Sequence, residues 1–215
     1  MNKAAYLITS GDLRLSANQV CWPEQEQLER LLTAEFSLLG VTLKRAFAIN
    51  QTEGHGFISS QRMGMNVFAS IPKDAPLVFA TAAWQYTHHV LPGLRFHRGP
   101  ILTVANWSGR WPGLVGLLNL NGSLVKAGVP FSTIWSETFT DSFFREGLKQ
   151  WVVDGRIDRD LPHVRSLDAQ SLGDEILQLF FRRVGDQTGM RMLLDLPGQS
   201  CGRVLTRNDK RHFQC

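Results

Sequence analysis

The sequence predicts an α/β domain in which helices cover both faces of a doubly wound, mainly parallel sheet. Two short apolar runs, residues 77–83 and 101–105, are bounded by Pro and Gly and are typical of strands buried on both faces. Strand-like and helix-like segments also alternate at about 25 to 35 residues per unit, as expected of parallel strands joined by crossover helices. Rossmann-like and flavodoxin-like sheets have this organisation.

The individual elements follow from apolar spacing and from the positions of Pro and Gly. Strands are predicted at residues 4–8, 41–49, 77–83, 101–105 and 129–135. Helices are predicted at residues 23–39, 59–70, 112–126 and 141–153. The first helix is expected to begin at Pro23, after a polar loop at 10–19, because proline is tolerated in a first helical turn. Gly40 ends this helix.

After Gly155 the sequence becomes polar and typical of a loop. We therefore predict an α/β domain at 1–155, a linker and helix at 156–184 with the helix at 172–184, and an irregular basic tail at 185–215. The tail is expected to be poorly ordered. Because a well-formed domain rarely ends in this way, we expect either that the chain is the beginning of a longer protein or that the tail is not its original ending.

Charge and composition exclude several classes of protein. The net charge of +4 belongs to residues 182–215, where seven Arg or Lys face three Asp or Glu, so the rest of the chain is neutral. Nucleic-acid binding is not predicted, since it needs clustered basic charge. The sequence also has no apolar run of the roughly 20 residues that span a bilayer, and no cleavable leader, so a cytoplasmic location is expected. The three cysteines include no CxxC pair, which argues against disulfides and structural zinc.

Polar and aromatic side chains follow three of the predicted strands. Since ligands of open α/β sheets bind outside the carboxyl ends of the strands, we expect these side chains to form a common site. The candidate binding residues are Arg14, Trp84, Gln85, His88, Asn106, Trp107 and Arg110. Indole faces can stack on a sugar ring while polar groups bind its hydroxyls, so the pattern favours a monosaccharide ligand.

Each candidate also has a simpler interpretation. The tryptophans are large enough to be core residues, especially Trp111, and either arginine is equally compatible with an exposed ion pair. His88 and His89 are adjacent, so they point in different directions and rarely share a metal ion. His55 is a candidate general base, although a lone loop histidine seldom has such a role.

No recognised catalytic signature accompanies this binding edge. The sequence lacks the GxGxxG fingerprint, the P-loop and the GxSxG nucleophile elbow. No spacing indicates a pair of carboxylates for general acid–base catalysis. We predict no catalytic residue and no metal ligand in this chain.

Four segments resemble the N-terminal part of the L-fucose isomerase family. They are GDLR at 11–14, AWQY at 83–86, ANWSGRWPGLV at 105–115 and GVPFSTIW at 128–135, and the likeness covers residues 4–180. The resemblance implies the substrate-contacting domain of a cytoplasmic, homo-oligomeric aldose–ketose isomerase that acts on a 6-deoxyhexose or a pentose. It also implies that Arg14 and Trp84 contact the sugar, with the tryptophan reaching an active site shared with a neighbouring subunit.

The resemblance further implies Mn²⁺ in the complete enzyme, where a divalent ion stabilises an enediolate. Its carboxylate and histidine ligands belong to later domains of the family, so this chain alone is expected to bind no metal and to be nearly inactive. The alternative is a non-catalytic cytoplasmic sugar-binding or regulatory α/β module. A nucleotide-dependent oxidoreductase is disfavoured by the missing glycine fingerprint.

Overall fold

A five-stranded, all-parallel sheet is the centre of the computed structural model. The structure describes residues 3–83, 86–108, 110–111 and 113–158, and the backbone of two short strands further along. The strands of the sheet are β1 (Lys3–Ile8), β2 (Val41–Arg45), β3 (Leu77–Thr81), β4 (Ile101–Ala105) and β5 (Ser132–Trp135). The helices are α1 (Leu15–Leu38), α2 (Gln61–Ser70), α3 (Leu91–Leu94), α4 (Gly113–Lys126) and α5 (Ser142–Asp154), with a 3₁₀ turn at Thr87–His89.

The strand order, β2-β1-β3-β4-β5, confirms the predicted doubly wound α/β fold. This is the order of flavodoxin-like sheets, in which the chain changes direction between β1 and β3. β1 pairs with β3 over Tyr6 to Ile8 only, with Ile8 opposite Phe79 as the last pair. The two strands therefore part at their carboxyl ends, at the switch point where such folds bind ligands.

Alternation along the buried strands directs apolar side chains to two cores. Val78 and Ala80 belong to one core with Leu32 and Phe36 of α1 and Trp151 of α5. The intervening Leu77 and Phe79 belong to the second core, which lies against α2, α3 and α4. Burial on both faces explains why the third and fourth strands are continuous apolar runs in the sequence. Each fully buried Leu or Phe contributes about 1.5–3 kcal/mol.

The beginning of α1 is the main error of the sequence analysis. The helix begins at Leu15, so the second half of the predicted polar loop at 10–19 is helical and Pro23 lies inside the helix. Cys21 and Trp22 explain the difference, because they are buried in a small apolar cluster with Phe57. Tertiary packing of these two turns outweighs the roughly 3 kcal/mol that an internal proline costs.

The second strand is also shorter than predicted, ending at Arg45 instead of residue 49. Residues Phe57 and Ile58 take the next place beside the continuation of β1. The amide of Ile58 donates to the Thr9 carbonyl (2.9 Å), and the amide of Gly11 donates to the Ile58 carbonyl (3.0 Å). The other helices and strands predicted within residues 1–155 are present, with ends shifted by a few residues.

The chain divides into two units, Met1–Arg159 and Asp160–Cys215. In the second, two strands, Met192–Leu194 (β6) and Arg203–Leu205 (β7), pair antiparallel, where the sequence analysis assigned no element. The helix predicted at 172–184 and the rest of the tail lie outside the described residues. Among the described helices, none is long and apolar enough to cross a bilayer.

Two polar contacts fix helices of the first core in place. Gln25 of α1 is fully buried and reaches the end of β3, where its Oε1 accepts from the Ala82 amide (2.9 Å) and its Nε2 donates to the Ala80 carbonyl (3.1 Å). Gln25 Nε2 also donates to Thr9 Oγ1 at 3.1 Å. Arg145 of α5 binds Glu35 of α1 through two hydrogen bonds of 2.7 and 2.8 Å.

Replacement of Gln25 should destabilise the domain. Gln25→Leu keeps most of the side-chain volume but leaves the Ala82 amide without its side-chain partner. It also removes one of the two side-chain donors to the Ala80 carbonyl, which keeps Thr9 Oγ1. We expect a loss of about 2–4 kcal/mol in the free energy of unfolding, measured with urea by circular dichroism. Gln27→Leu is the control, since Gln27 is exposed and binds only Arg30 in the described structure. Equal stability of the two variants would contradict the assigned role of Gln25.

Candidate functional site

The five parallel strands end at one edge of the sheet, which we call the carboxyl edge. Its floor at the β1–β3 switch point is the apolar cluster of Cys21, Trp22, Phe57 and Ala83. Polar residues surround this floor in two groups. One follows β1 and β3, and the other follows β4 and β5 and faces the side of α1.

Asp12 is the centre of the first group, which we call the Asp12 cluster. Its side chain is 2% exposed, whereas that of its partner Arg14 is 70% exposed. The Arg14 guanidinium donates from Nε to Oδ1 at 3.0 Å and from Nη2 to Oδ2 at 2.8 Å. The Arg14 amide (2.8 Å) and the Tyr86 hydroxyl (3.1 Å) also donate to this carboxylate. Asp12 therefore fixes a guanidinium whose remaining N–H groups are accessible.

These hydrogen bonds determine the charge states of the cluster. The side-chain hydrogen bonds from Arg14 hold the pKa of Asp12 well below its usual range, against the opposing effect of burial. Burial raises the pKa of Tyr86, and the hydrogen bond to the Asp12 carboxylate raises it further. At neutral pH the cluster thus contains an ionised carboxylate, a cationic guanidinium and a neutral phenol.

His88 and His89 lie beside Tyr86. The His89 ring is buried and stacks on Tyr86 with centroids 5.6 Å apart. Its Nδ1 is 3.1 Å from the Ile58 carbonyl, which can only accept, so Nδ1 carries the proton. Burial lowers the pKa of His89, and the ring is neutral at pH 7. His88 is exposed and meets Tyr86 edge-to-face at 5.4 Å.

Asn106, Trp107 and Arg110 follow β4. The Asn106 side chain is half-buried and donates to the Ser108 carbonyl at 2.7 Å. The Trp107 side chain is exposed, and Arg110 lies over the Trp111 ring at 5.3 Å. The loop is fixed from β5 by Glu137, which accepts from the amides of residues 107 and 108 at 3.3 and 3.0 Å.

A cleft of about 440 Å³, which we call the α1 cleft, separates this loop from α1. Its lining includes Glu24, Ala82, Asn106, Arg110, Trp111 and Glu137. The Asp12 cluster and the α1 cleft both flank Cys21. Burial raises the pKa of that thiol, the carboxylates of Glu24 and Asp12 add to the effect, and Arg110 opposes it.

The outcome for the predicted binding residues is therefore mixed. Arg14 and His88 belong to the Asp12 cluster, and Asn106 and Arg110 line the α1 cleft. Trp84 and Gln85 lie outside the described residues, between Ala83 of the floor and Tyr86. Arg14 is indeed in an ion pair, and Trp111 is only partly buried. His55 is buried, and its Nδ1 accepts from the Phe57 amide, so its role here is structural.

The sequence analysis missed the carboxylates of this edge. Asp12 and Glu137 each follow a strand closely, and that position was an available signal. No sequence signal indicated Glu24. It lies at this edge because α1 begins at Leu15, earlier than predicted, and passes beside β3. Among the described residues, no three His, Cys, Asp or Glu side chains are grouped to hold a metal ion. This part of the chain therefore does not fit a Mn²⁺ site.

Fold and site together define a doubly wound α/β domain with a polar, aromatic crevice at its switch point. A scan against models of protein families finds no match to this chain. A search of curated proteins likewise finds no significant relative.

Acid should remove the contribution of Asp12 to stability. Because the folded-state pKa lies below the unfolded value near 3.9, this contribution is complete above about pH 4 and is lost as the pH falls further. Asp12→Asn should cost about 1–2 kcal/mol at pH 7, since the guanidinium partner is exposed, and the gap from the wild type should narrow toward pH 2. Urea unfolding between pH 2 and 7 measures this gap, and Asp158→Asn, at an exposed carboxylate outside the site, is the control. A gap independent of pH would contradict the ion pair.

Gly113 allows α4 to begin against the end of β3. A Cβ at this position would lie 1.9 Å from the Thr81 carbonyl oxygen and 2.4 Å from Asn106 Oδ1. Gly113→Ala should therefore lower the free energy of unfolding by about 1–3 kcal/mol. Gly122→Ala, in open space on the same helix, should raise it by about 0.5–1 kcal/mol. Urea unfolding of both variants measures this difference in sign, and a stabilised Gly113→Ala would contradict the close approach.

Proposed function

We propose that this chain is the substrate-contacting N-terminal domain of an L-fucose-isomerase-like sugar isomerase and that it binds a monosaccharide at the carboxyl edge. The proposed ligand is a neutral 6-deoxyhexose or pentose. The proposed contacts are Arg14, Trp84, Gln85, His88, Asn106, Trp107 and Arg110. A cytoplasmic location and homo-oligomerisation of the complete enzyme are parts of the same proposal.

The proposal rests on one observation. The pairing of β1 with β3 ends at the switch point, and Asp12 holds the Arg14 guanidinium beside it by two hydrogen bonds. Doubly wound folds bind their ligands in this crevice. Of the five N–H groups of a guanidinium, Asp12 occupies two of those of Arg14, so others remain to donate to sugar hydroxyls. The aromatic rings of Tyr86 and Trp107 provide the apolar surface that a sugar face needs.

The domain's own contribution would be binding and orientation. Arg14 is fixed in one rotamer by Asp12, so little side-chain entropy is lost when it binds a hydroxyl. Any Mn²⁺ of the complete enzyme would need ligands from outside the described residues, and the chemistry it would supply is that of a Lewis acid. The neutral Tyr86 hydroxyl and the accessible Arg14 guanidinium would orient the sugar.

Loss of the Arg14 guanidinium should weaken sugar binding. Heteronuclear NMR titration of the ¹⁵N-labelled chain with L-fucose and L-arabinose measures the affinity. We expect Arg14→Ala to raise Kd at least about tenfold, since a hydrogen bond to a charged group contributes about 1.5–3 kcal/mol. The matched control is Arg156→Ala, because Arg156 is similarly exposed and also pairs with an aspartate two residues away, Asp158.

Absence of binding by the wild type across the millimolar range would overturn the proposal. Equal effects of the Arg14 and Arg156 substitutions would remove Arg14 from the site. The catalytic part is tested on the longest protein that the reading frame encodes, assayed for Mn²⁺-dependent aldose–ketose conversion. Binding without any turnover there would favour the non-catalytic sugar-binding module.

A further inference from the structure

We infer that the α1 cleft recognises sugar hydroxyls through the Glu24 carboxylate, which makes Glu24 a specificity-determining residue of the site. This inference rests on the proposed function and extends it to a residue that neither the sequence pattern nor the family resemblance indicates. The ligand class is a neutral polyol that donates at least two hydrogen bonds toward α1.

Glu24 differs from the other two carboxylates of the carboxyl edge, Asp12 and Glu137, in its hydrogen bonds. Asp12 accepts from Arg14 and Tyr86, and Glu137 accepts from the amides of residues 107 and 108 and from the Ser108 hydroxyl. Glu24 accepts no hydrogen bond from the described residues, and the nearest cation, Arg110 Nη1, is 4.0 Å from its Oε1. An ionised carboxylate can accept about four hydrogen bonds, so the capacity of Glu24 is available to a ligand.

Glu24 is also placed to use that capacity. Its side chain is 35% exposed and lines the α1 cleft, while its Oε2 is buried. The terminal torsion of a glutamate is soft, so either oxygen can turn toward a bound molecule. Asn106 also lines the cleft, and its buried Oδ1 has no hydrogen-bond partner among the described residues.

The charges of the cleft favour a neutral ligand. Its charged lining residues are two carboxylates, Glu24 and Glu137, and two guanidiniums, Arg30 and Arg110. A cationic ligand would gain from Glu24 but would meet Arg110 beside it. A hydroxyl gains from Glu24 as an acceptor and from Arg110 as a donor, which suits a diol.

The size and the walls of the cleft agree with a single sugar ring. A volume of about 440 Å³ lies within the roughly 300–1,000 Å³ of small-molecule sites. Ala82, Trp111 and Phe139 supply apolar surface for the C–H face of a ring.

Substitution of Glu24 tests the inference. Glu24→Gln keeps the shape and one acceptor oxygen but removes the charge, and we expect Kd for L-fucose to rise about tenfold in the NMR titration. Glu26→Gln, two residues along the same helix and outside the cleft lining, should leave Kd within about twofold. Asn106→Ala is a second variant that should also weaken binding, in case Glu24→Gln does not fold.

The outcomes separate this inference from the proposed function. Sugar binding that Arg14→Ala weakens but Glu24→Gln leaves unchanged would overturn the inference alone, whereas unchanged binding by Asn106→Ala would also remove Asn106 from the proposed contacts. No sugar binding by the wild type would overturn both. Tighter binding of D-galactosamine than of D-galactose, which differ in one amino group, would overturn the neutral ligand class.

Discussion

The separation of β1 from β3 at the carboxyl edge is the constraint on which the site depends, and a side chain holds it. Beyond the pairing of Ile8 with Phe79, β3 remains paired with β4, but its opposite side no longer faces a strand. Gln25 completes that backbone with one donor and one acceptor, as a neighbouring strand would. The Ala82 amide and the Ala80 carbonyl are therefore hydrogen-bonded at the open edge, which avoids the free-energy cost of leaving these two backbone groups unsatisfied.

Buried hydrogen bonds and an ion pair also hold the polar groups around this crevice in place. Glu29 accepts from Gln25 at 3.0 Å and forms an ion pair with Arg45, whose guanidinium lies over the Trp22 and Phe47 rings. Arg45 also donates to the Gly56 carbonyl and so, through Glu29, ties the segment after β2 to the middle of α1. The apolar floor beneath the Asp12 cluster is therefore supported by a buried polar network, in which each member completes another's hydrogen bonds.

The sequence was sufficient for the fold and insufficient for much of the site. Continuous apolar runs identify β3 and β4 because burial on both faces permits no polar residue there. The start of α1 was predicted wrongly, because the contacts of Cys21 and Trp22 with Phe57 are distant in sequence and outweigh the local signal of Pro23. Glu24 was missed for the same reason. Arg14 and Asn106 lie at the carboxyl edge, as expected from the sequence, because they belong to the segments that follow β1 and β4, whose position the topology decides.

The Arg145–Glu35 pair has a consequence for how the α1 cleft would admit a molecule. One wall of the cleft is α1, and the opposite wall includes Glu137 and Phe139, in the segment that leads into α5. Ser136 and Asp141 brace that segment by a hydrogen bond, and the guanidinium joins the two helices directly. Both walls thus belong to one layer that these hydrogen bonds join. Occupancy would need no hinge movement, unlike capture by two closing lobes, and the free energy of contact would be realised as affinity with little reorganisation.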